Sequence, residues 1–186
     1  MASALPPSGL WLALARSDMA AAAVLRARPA LNCHTVAKCQ QAVEKALHTI
    51  EMLFVEKSLE PQAVDLYQHK PIRFIVAIQR APAQTGDLRS CAQVLLDKHL
   101  HALAGRDDNA IWQLCALAPR KPRPGDRHQR NTEYPYQHED LSWTIPSALH
   151  EFETAETDRW FEVAKDVVRA AANLCAAAER QPMATL

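Results

Sequence analysis

The sequence contains little glycine, four residues in 186, and no excess charge, because 21 Lys and Arg residues balance 21 Asp and Glu residues. A chain without net charge is not steered as a whole toward nucleic acid or membrane, although a locally basic patch could still do so. Scarce glycine beside abundant alanine favours helix, because alanine loses no side-chain entropy on ordering. The length suits one domain, residues 1–186, with a substantial core.

Long apolar runs and paired cysteines are also absent. Arg16 and Asp18 divide the apolar N-terminal stretch into halves too short to cross a bilayer, and no basic leader precedes them. The five cysteines are odd in number and form no CxxC pair, which indicates free thiols in a reducing cytoplasm. His99 and His101 lie two apart on a predicted helix and point away from each other. We therefore expect a cytoplasmic protein without a metal, a cofactor or a membrane partner.

Two long segments have apolar residues three, four and seven positions apart, which predicts amphipathic helices. The first covers residues 32–57, where Asn32 suits the N-cap. Its stripe comprises Val36, Val43, Ala46, Leu47, Ile50, Leu53 and Phe54. The second covers residues 157–180, where Thr157 or Asp158 can cap the start. Its stripe comprises Phe161, Ala164, Val167, Val168, Ala171, Leu174, Cys175 and Ala178.

Four further segments have helical character. Residues 8–27 are rich in alanine and end before a proline, residues 88–105 carry a leucine stripe, and residues 109–117 suit a short helix. Residues 71–80 contain a β-branched run, which we interpret as a short buried helix because no second convincing strand could pair with it. The sequence predicts an all-α, up-and-down bundle of four to five main helices over about residues 8–180.

The order of these segments resembles the HEPN family. The stretch CQQAVEKALHTIEMLF, residues 39–54, is similar to the signature of the family's second helix, an AxEKAxK-like core. Gln41, Ala42, Glu44, Lys45 and Ala46 stand at the matching places, and His48 stands where a lysine is common. The alanine-rich first helix, YQHKPIRFI at residues 67–75 and RNTEYPY at residues 130–136 resemble other parts of the family in the same order.

This resemblance implies a HEPN-like bundle, often a homodimer, whose loop before the last helix lies at or near the dimer cleft. The family includes metal-independent ribonucleases, toxins paired with nucleotidyltransferase-like antitoxins, and inactive proteins that bind nucleotide or RNA. Its catalytic mark is an Arg, often in an RN pair, followed a few residues later by a His. Arg130 and Asn131 match the RN pair, but residues 134–137 contain no histidine, and His138 lies eight positions after Arg130. The departure favours a non-catalytic member, with Arg130 and His138 as the catalytic candidates if activity remains.

Residues 119–146 form the predicted functional loop. Its first part is basic, with Arg120, Lys121, Arg123, Arg127 and Arg130 against Asp126. Guanidinium groups bind phosphate and aromatic rings stack on bases, so the loop predicts contact with a nucleotide or RNA. The predicted binding residues are Arg127, His128, Arg130, Asn131, Tyr134 and Tyr136, with Lys38 and Lys45 of the second helix as secondary phosphate contacts.

Alternatives to phosphate binding remain open for this loop. Its tyrosines could pack beneath it while its arginines pair with Glu133, Glu139 and Asp140. Asn131 could serve mainly to hold a turn. The leading hypothesis is a homodimeric binder of nucleotide or RNA phosphate, in some settings paired with a nucleotidyltransferase-like antitoxin. The others are a metal-independent endoribonuclease toxin, and a non-catalytic interaction module that dimerises through its alanine-rich helix faces.

Overall fold

The computed structural model describes residues 7–56, 110–118, 130–137, 140–148 and 150–180. Within these ranges the chain forms four α-helices and one short hairpin. The helices are α1 (Pro7–Leu25), α2 (Asn32–Glu56), α3 (Ala110–Ala116) and α4 (Thr154–Arg180), and the strands are β1 (Tyr136–Gln137) and β2 (Trp143–Thr144). The predicted all-α helical bundle is confirmed. The helices predicted at residues 71–80 and 88–105 lie outside the described residues.

Helix α2 is the centre of the described bundle, because it packs against α1, α3 and α4. Its predicted apolar stripe is buried throughout, and the stripe of α4 is buried except for Cys175, which is partly exposed. Alanines are fully buried where the long helices meet, including Ala15, Ala46 and Ala164. Their small side chains allow the helix axes to approach closely.

Among the described residues, polar side chains join the helices at several places. Near the start of α1, the Ser8 backbone N and side-chain Oγ donate to the Glu56 carboxylate at 2.8 and 2.7 Å. Arg26, just after α1, donates from Nε to Asp158 of α4 at 2.6 Å. Between α1 and α2, Asp18 pairs with both Lys38 and Lys45. These contacts fix which faces of the helices meet, since each would be lost on rotation.

The predicted helix caps are not observed, and α4 begins earlier than predicted. Asn32 is not an N-cap, because its backbone is already helical (φ −55°, ψ −43°) and its side-chain amide donates to the Phe152 carbonyl at 2.8 Å. Helix α4 begins at Thr154, three residues before the predicted cap at Thr157, whose backbone N donates to the Glu153 carbonyl within the first turn. The other candidate cap, Asp158, instead binds Arg26.

The predicted loop at residues 119–146 contains a small antiparallel hairpin, which was not predicted from the sequence. Tyr136 pairs with Thr144, and Gln137 pairs with Trp143. Two residues per strand carry almost no periodic signal, so alternation could not identify them.

The cysteines in the described ranges, Cys33, Cys39, Cys115 and Cys175, are free thiols, as predicted. Burial raises the pKa of Cys39 to about 12, although the nearby charge of Arg26 lowers it in part. Helices long and apolar enough to cross a bilayer are absent from the described ranges.

Candidate ligand-binding site

A groove of about 830 Å³ lies between the first half of α2 and the residues that flank the hairpin. The α2 wall is lined by Cys33, His34, Ala37, Lys38 and Gln41, with Leu25 beside it. The opposite wall is lined by Thr132, Glu133, Tyr134, Pro135, Ile145, Pro146 and Ser147. Small-molecule sites in proteins fall in this range of volume and combine mostly apolar walls with a few polar groups. Two of the residues predicted from the sequence, Lys38 and Tyr134, line this groove.

The polar groups of the α2 wall share one helix face because His34, Lys38 and Gln41 are spaced four and three residues apart. Lys38 Nζ donates to Gln41 Oε1 at 2.9 Å and to Asp18 Oδ1 of α1 at 3.0 Å. Lys45 Nζ donates to the other oxygen of the same buried carboxylate. Two ammonium groups therefore share one carboxylate, so one positive charge of this cluster is not balanced within it.

The opposite wall is shaped by the turn at Asn131. Its Oδ1 accepts hydrogen bonds from the backbone N of Glu133 at 2.8 Å and of Tyr134 at 2.6 Å. This is the turn-holding role that the sequence suggested for Asn131. The turn leaves the Tyr134 ring 44% exposed at the groove, next to Pro135 and Ile145.

Arg130 lies outside the groove lining and binds an acidic residue. Its NH1 and NH2 groups donate to the two carboxylate oxygens of Glu156 at 2.8 and 2.9 Å. Its guanidinium also lies over the Phe152 ring, 4.2 Å from the centroid. An acidic partner was one of the alternatives, but it comes from α4 instead of the loop. Binding of phosphate by Arg130 stays a prediction.

The electrostatics of Arg130 agree with this pairing. Burial lowers the pKa of its guanidinium, but hydrogen bonding and the charge of Glu156, together with Tyr136, outweigh burial and raise that pKa overall. Glu156 Oε1 also accepts a hydrogen bond from Trp160 Nε1 at 3.1 Å. The carboxylate is therefore held on α4 by a second partner.

Tyr136 packs inside the structure beneath the hairpin, with 2% of its surface exposed. Its hydroxyl donates to the Glu151 carboxylate, which also accepts from Thr144 Oγ1 at 3.3 Å. In this arrangement the ring is not accessible to a base, in agreement with the alternative that the tyrosines pack under the loop. Of the two predicted stacking residues, Tyr134 alone presents its ring to a ligand.

The remaining predicted residues divide into two groups. Arg127, His128 and His138 lie outside the described residues, so their binding and catalytic roles stay predictions. Lys45 contacts Asp18 but does not line the groove. In the described ranges there is no group of three His, Cys, Asp or Glu side chains that could hold a metal ion.

Sequence reasoning missed two carboxylates that organise this region, Asp18 and Glu156. Asp18 could have been recognised from the sequence, because it is the one acidic residue of a largely apolar helix. A carboxylate that is buried in such a helix needs a cationic or hydrogen-bonding partner. Glu156 gave no such signal, since it resembles any acid in the first turn of a helix.

Comparison of the chain with protein-family models, with curated proteins and with solved structures finds no match. The HEPN resemblance therefore stays a prediction carried by the residues quoted for it. The fold class, an all-α helical bundle, is a finding of the structure itself.

The free energy of unfolding of Tyr136→Phe is expected to fall less steeply with rising alkaline pH than that of the wild type. Burial raises the pKa of Tyr136 above its ordinary 10.0, the Glu151 hydrogen bond and charge raise it further, and Arg130 offsets these effects only in part. The folded state thus holds the phenolic proton more tightly than the unfolded state. Stability from this group is complete below pH 10 and falls by about 1.4 kcal/mol per pH unit above it.

Urea denaturation of both proteins at a series of pH values from 8 to 11 measures this difference. The wild-type free energy of unfolding should fall more steeply above about pH 10 than that of Tyr136→Phe. Tyr134→Phe, which removes an exposed phenol, is the matched control and should follow the wild type. Parallel curves for wild type and Tyr136→Phe would contradict the expectation.

Proposed function

We propose that the protein binds a nucleotide in the groove between α2 and residues 132–147. The observation that carries the proposal is that Tyr134, an exposed aromatic residue, and Lys38, a cationic one, line the same groove of about 830 Å³. A base stacks on the ring while the phosphates lie at the lysine. The activity is binding without catalysis.

The apolar wall suits a base. This wall carries the aromatic ring of Tyr134 and the aliphatic side chains of Pro135 and Ile145. Stacking of a base on an aromatic ring is worth about 1–3 kcal/mol and tolerates any base, because every base has a π-face. Glu133, on the same wall, can accept a hydrogen bond from a base amino group or a ribose hydroxyl.

The α2 wall suits a phosphate. Lys38 lines the groove, and its ammonium group shares the Asp18 carboxylate with Lys45. An ammonium group binds phosphate as a point charge and does not need the fixed geometry of a guanidinium. His34, one turn before Lys38 and exposed, adds a second nitrogen on the same wall.

Charge around the hairpin favours a short ligand over a long RNA. Residues 131–153 contain five acidic side chains and no lysine or arginine. A polyanion lying along this segment would be repelled, whereas a mononucleotide can keep its phosphates on the α2 side. The basic residues 120–127, which lie outside the described ranges, are the sequence feature that favours RNA instead.

Titration with ATP and, separately, with a short single-stranded RNA tests the proposal. Tyr134→Ala and Lys38→Gln are each expected to weaken ATP binding about tenfold, because one stacking contact or one phosphate contact is lost. Trp143→Ala removes an exposed aromatic outside the groove, and Lys165→Gln removes an exposed lysine of α4. These two matched controls should bind ATP as the wild type does.

Equal ATP affinity in Tyr134→Ala and wild type, or no ATP binding by the wild type, would remove the proposal. If the protein binds the RNA at least tenfold more tightly than ATP, the result would favour RNA over a mononucleotide as the ligand. Melting curves of each variant are needed as well, since Lys38 also contacts buried Asp18.

The partners expected from the sequence remain separate proposals. A homodimer and a nucleotidyltransferase-like antitoxin depend on the HEPN resemblance, and endoribonuclease activity depends on Arg130 acting with His138. If the protein cleaves RNA in the presence of a chelator and His138→Ala does not, the result would support the endoribonuclease hypothesis over binding without catalysis.

A further inference from the structure

We infer that the groove selects guanine among the bases, and that Glu133 is the residue that determines this preference. The inference rests on the proposed function, because it takes the base to lie at Tyr134 and the phosphates at Lys38. It adds the class of base, which stacking on Tyr134 does not distinguish, since every base has a π-face.

The polar groups of the groove differ in what they offer a ligand. Among the described residues that line it, Glu133 is the one acidic side chain. An ionised carboxylate only accepts hydrogen bonds, whereas the ammonium group of Lys38 only donates them. Gln41 Oε1 accepts from Lys38 at 2.9 Å, which leaves the Gln41 amide nitrogen as a further donor. The α2 wall therefore suits the acceptor oxygens of a phosphate, and Glu133 suits a group that donates.

The Glu133 carboxylate is available to such a donor. The residue is exposed, and within the described part of the chain its side chain makes no hydrogen bond or ion pair. The nearest arginine in the sequence, Arg130, binds Glu156 instead, at 2.8 and 2.9 Å. A ligand can thus pair with this carboxylate without displacing a cation from it.

Glu133 and Tyr134 are held together by one turn. Both backbone N–H groups donate to Asn131 Oδ1, at 2.8 and 2.6 Å, so a single acceptor fixes the main chain of the two residues. Both side chains line the groove. In the proposed complex the face of the base stacks on Tyr134, and the carboxylate of the adjacent residue meets the edge of the same base.

Guanine has the edge that matches a carboxylate. Its N1–H and N2–H groups are neighbouring donors, and two carboxylate oxygens accept both in parallel. Adenine and cytosine place a ring-nitrogen acceptor beside their amino group, and uracil has a carbonyl oxygen on each side of its N3–H. An acceptor that faces a carboxylate has no hydrogen bond and is repelled, so these bases bind more weakly.

Titration of the full chain with GTP, ITP and ATP tests this inference. GTP is expected to bind about tenfold or more tightly than ATP, because a bidentate pair discriminates against a mismatched base by this order. ITP carries the same ring without the N2 amino group, so its affinity should lie between the two.

Glu133→Gln is expected to bring the dissociation constants of GTP and ATP to within about threefold of each other, because a carboxamide offers a single acceptor oxygen. The ratio is the readout, since removing a negative charge can strengthen binding of both triphosphates. Glu153→Gln, which changes an exposed acid outside the groove, is the matched control and should keep the wild-type ratio.

Equal affinity for GTP and ATP would overturn the inference, as would ITP bound as tightly as GTP. A preference for GTP that survives in Glu133→Gln would assign the selection to another group and overturn it as well. In each case the nucleotide site itself stands if Tyr134→Ala weakens binding, whereas a wild type that binds neither GTP nor ATP removes both proposals. The comparison of GTP with ITP needs no variant, so it stays decisive if Glu133→Gln is poorly folded.

Discussion

Glu156→Ala is expected to lower the free energy of unfolding by about 2–3 kcal/mol. The change leaves the guanidinium of Arg130 half-buried without its carboxylate, and it removes the acceptor of the Trp160 indole N–H. Breaking a fully buried ion pair costs about 3–5 kcal/mol, and the partial exposure of this pair reduces that figure. Urea denaturation of wild type and variant measures the difference.

Two companion variants separate the ion pair from general effects of mutation. Lys165→Gln breaks an exposed pair with Glu162 on α4 and should cost less than about 0.5 kcal/mol. Arg130→Met combined with Glu156→Ala should be less destabilised than the sum of the single variants by about 1 kcal/mol or more, because the two residues interact directly. Additive effects would show that the Arg130 contact with Glu156 does not stabilise the fold.

ATP binding by the same Glu156→Ala protein distinguishes two candidate phosphate sites, the groove and the Arg130 guanidinium. Without Glu156, the guanidinium of Arg130 becomes available for phosphate. If Arg130 is a phosphate ligand, ATP binding should strengthen. If the groove holds the ligand, ATP affinity should remain unchanged, since Arg130 does not line it.

Phe152→Ala is expected to have the largest effect on stability, a loss of about 4 kcal/mol. Phe152 is 1% exposed, and its removal leaves a cavity in addition to the lost transfer free energy. The ring is also the surface on which the Arg130 guanidinium lies, 4.2 Å from the centroid. Thermal and urea denaturation should both report the loss.

Phe152→Leu is the matched control. Leucine keeps most of the buried apolar volume but offers no aromatic face to Arg130, so we expect a loss of about 1–2 kcal/mol. A free energy of unfolding for Phe152→Ala within about 1 kcal/mol of wild type would contradict this account. It would mean that the surrounding side chains fill the cavity without loss of stability.

The long helices were predictable because their signal is repeated over many residues. The stripe of α2 supplies seven apolar positions at helical spacing, and all of them are buried. The ends of the helices were not predictable in the same way. Asn32 has the chemistry of a cap, but its side-chain amide donates a hydrogen bond to the carbonyl of Phe152, 120 residues away. A single local residue type cannot reveal a partner so distant in the sequence.

The candidate site was predictable in part for a related reason. Asn131 forms its turn with residues two and three positions ahead, and local chemistry of this kind can be read from the sequence. Arg130 and Lys38 were recognised as cations, but their partners Glu156 and Asp18 come from other helices. Which cations remain available to a ligand depends on tertiary contacts. The sequence therefore indicated the chemistry of the region better than the place where a ligand would lie.

The buried carboxylate of Asp18 affects the register in which α1 packs along α2. Helix α1 is rich in alanine, and a surface of small, similar side chains would allow it to slide by one turn with little change in contact. Asp18 reaches two lysines seven residues apart on α2, and Ser8 meets Glu56 near the other end of the same interface. A slip of one turn, about 5.4 Å, would separate both sets of partners and leave the Asp18 carboxylate buried without a cation. We infer that these polar contacts select a single register for two helices whose apolar surfaces alone would permit several.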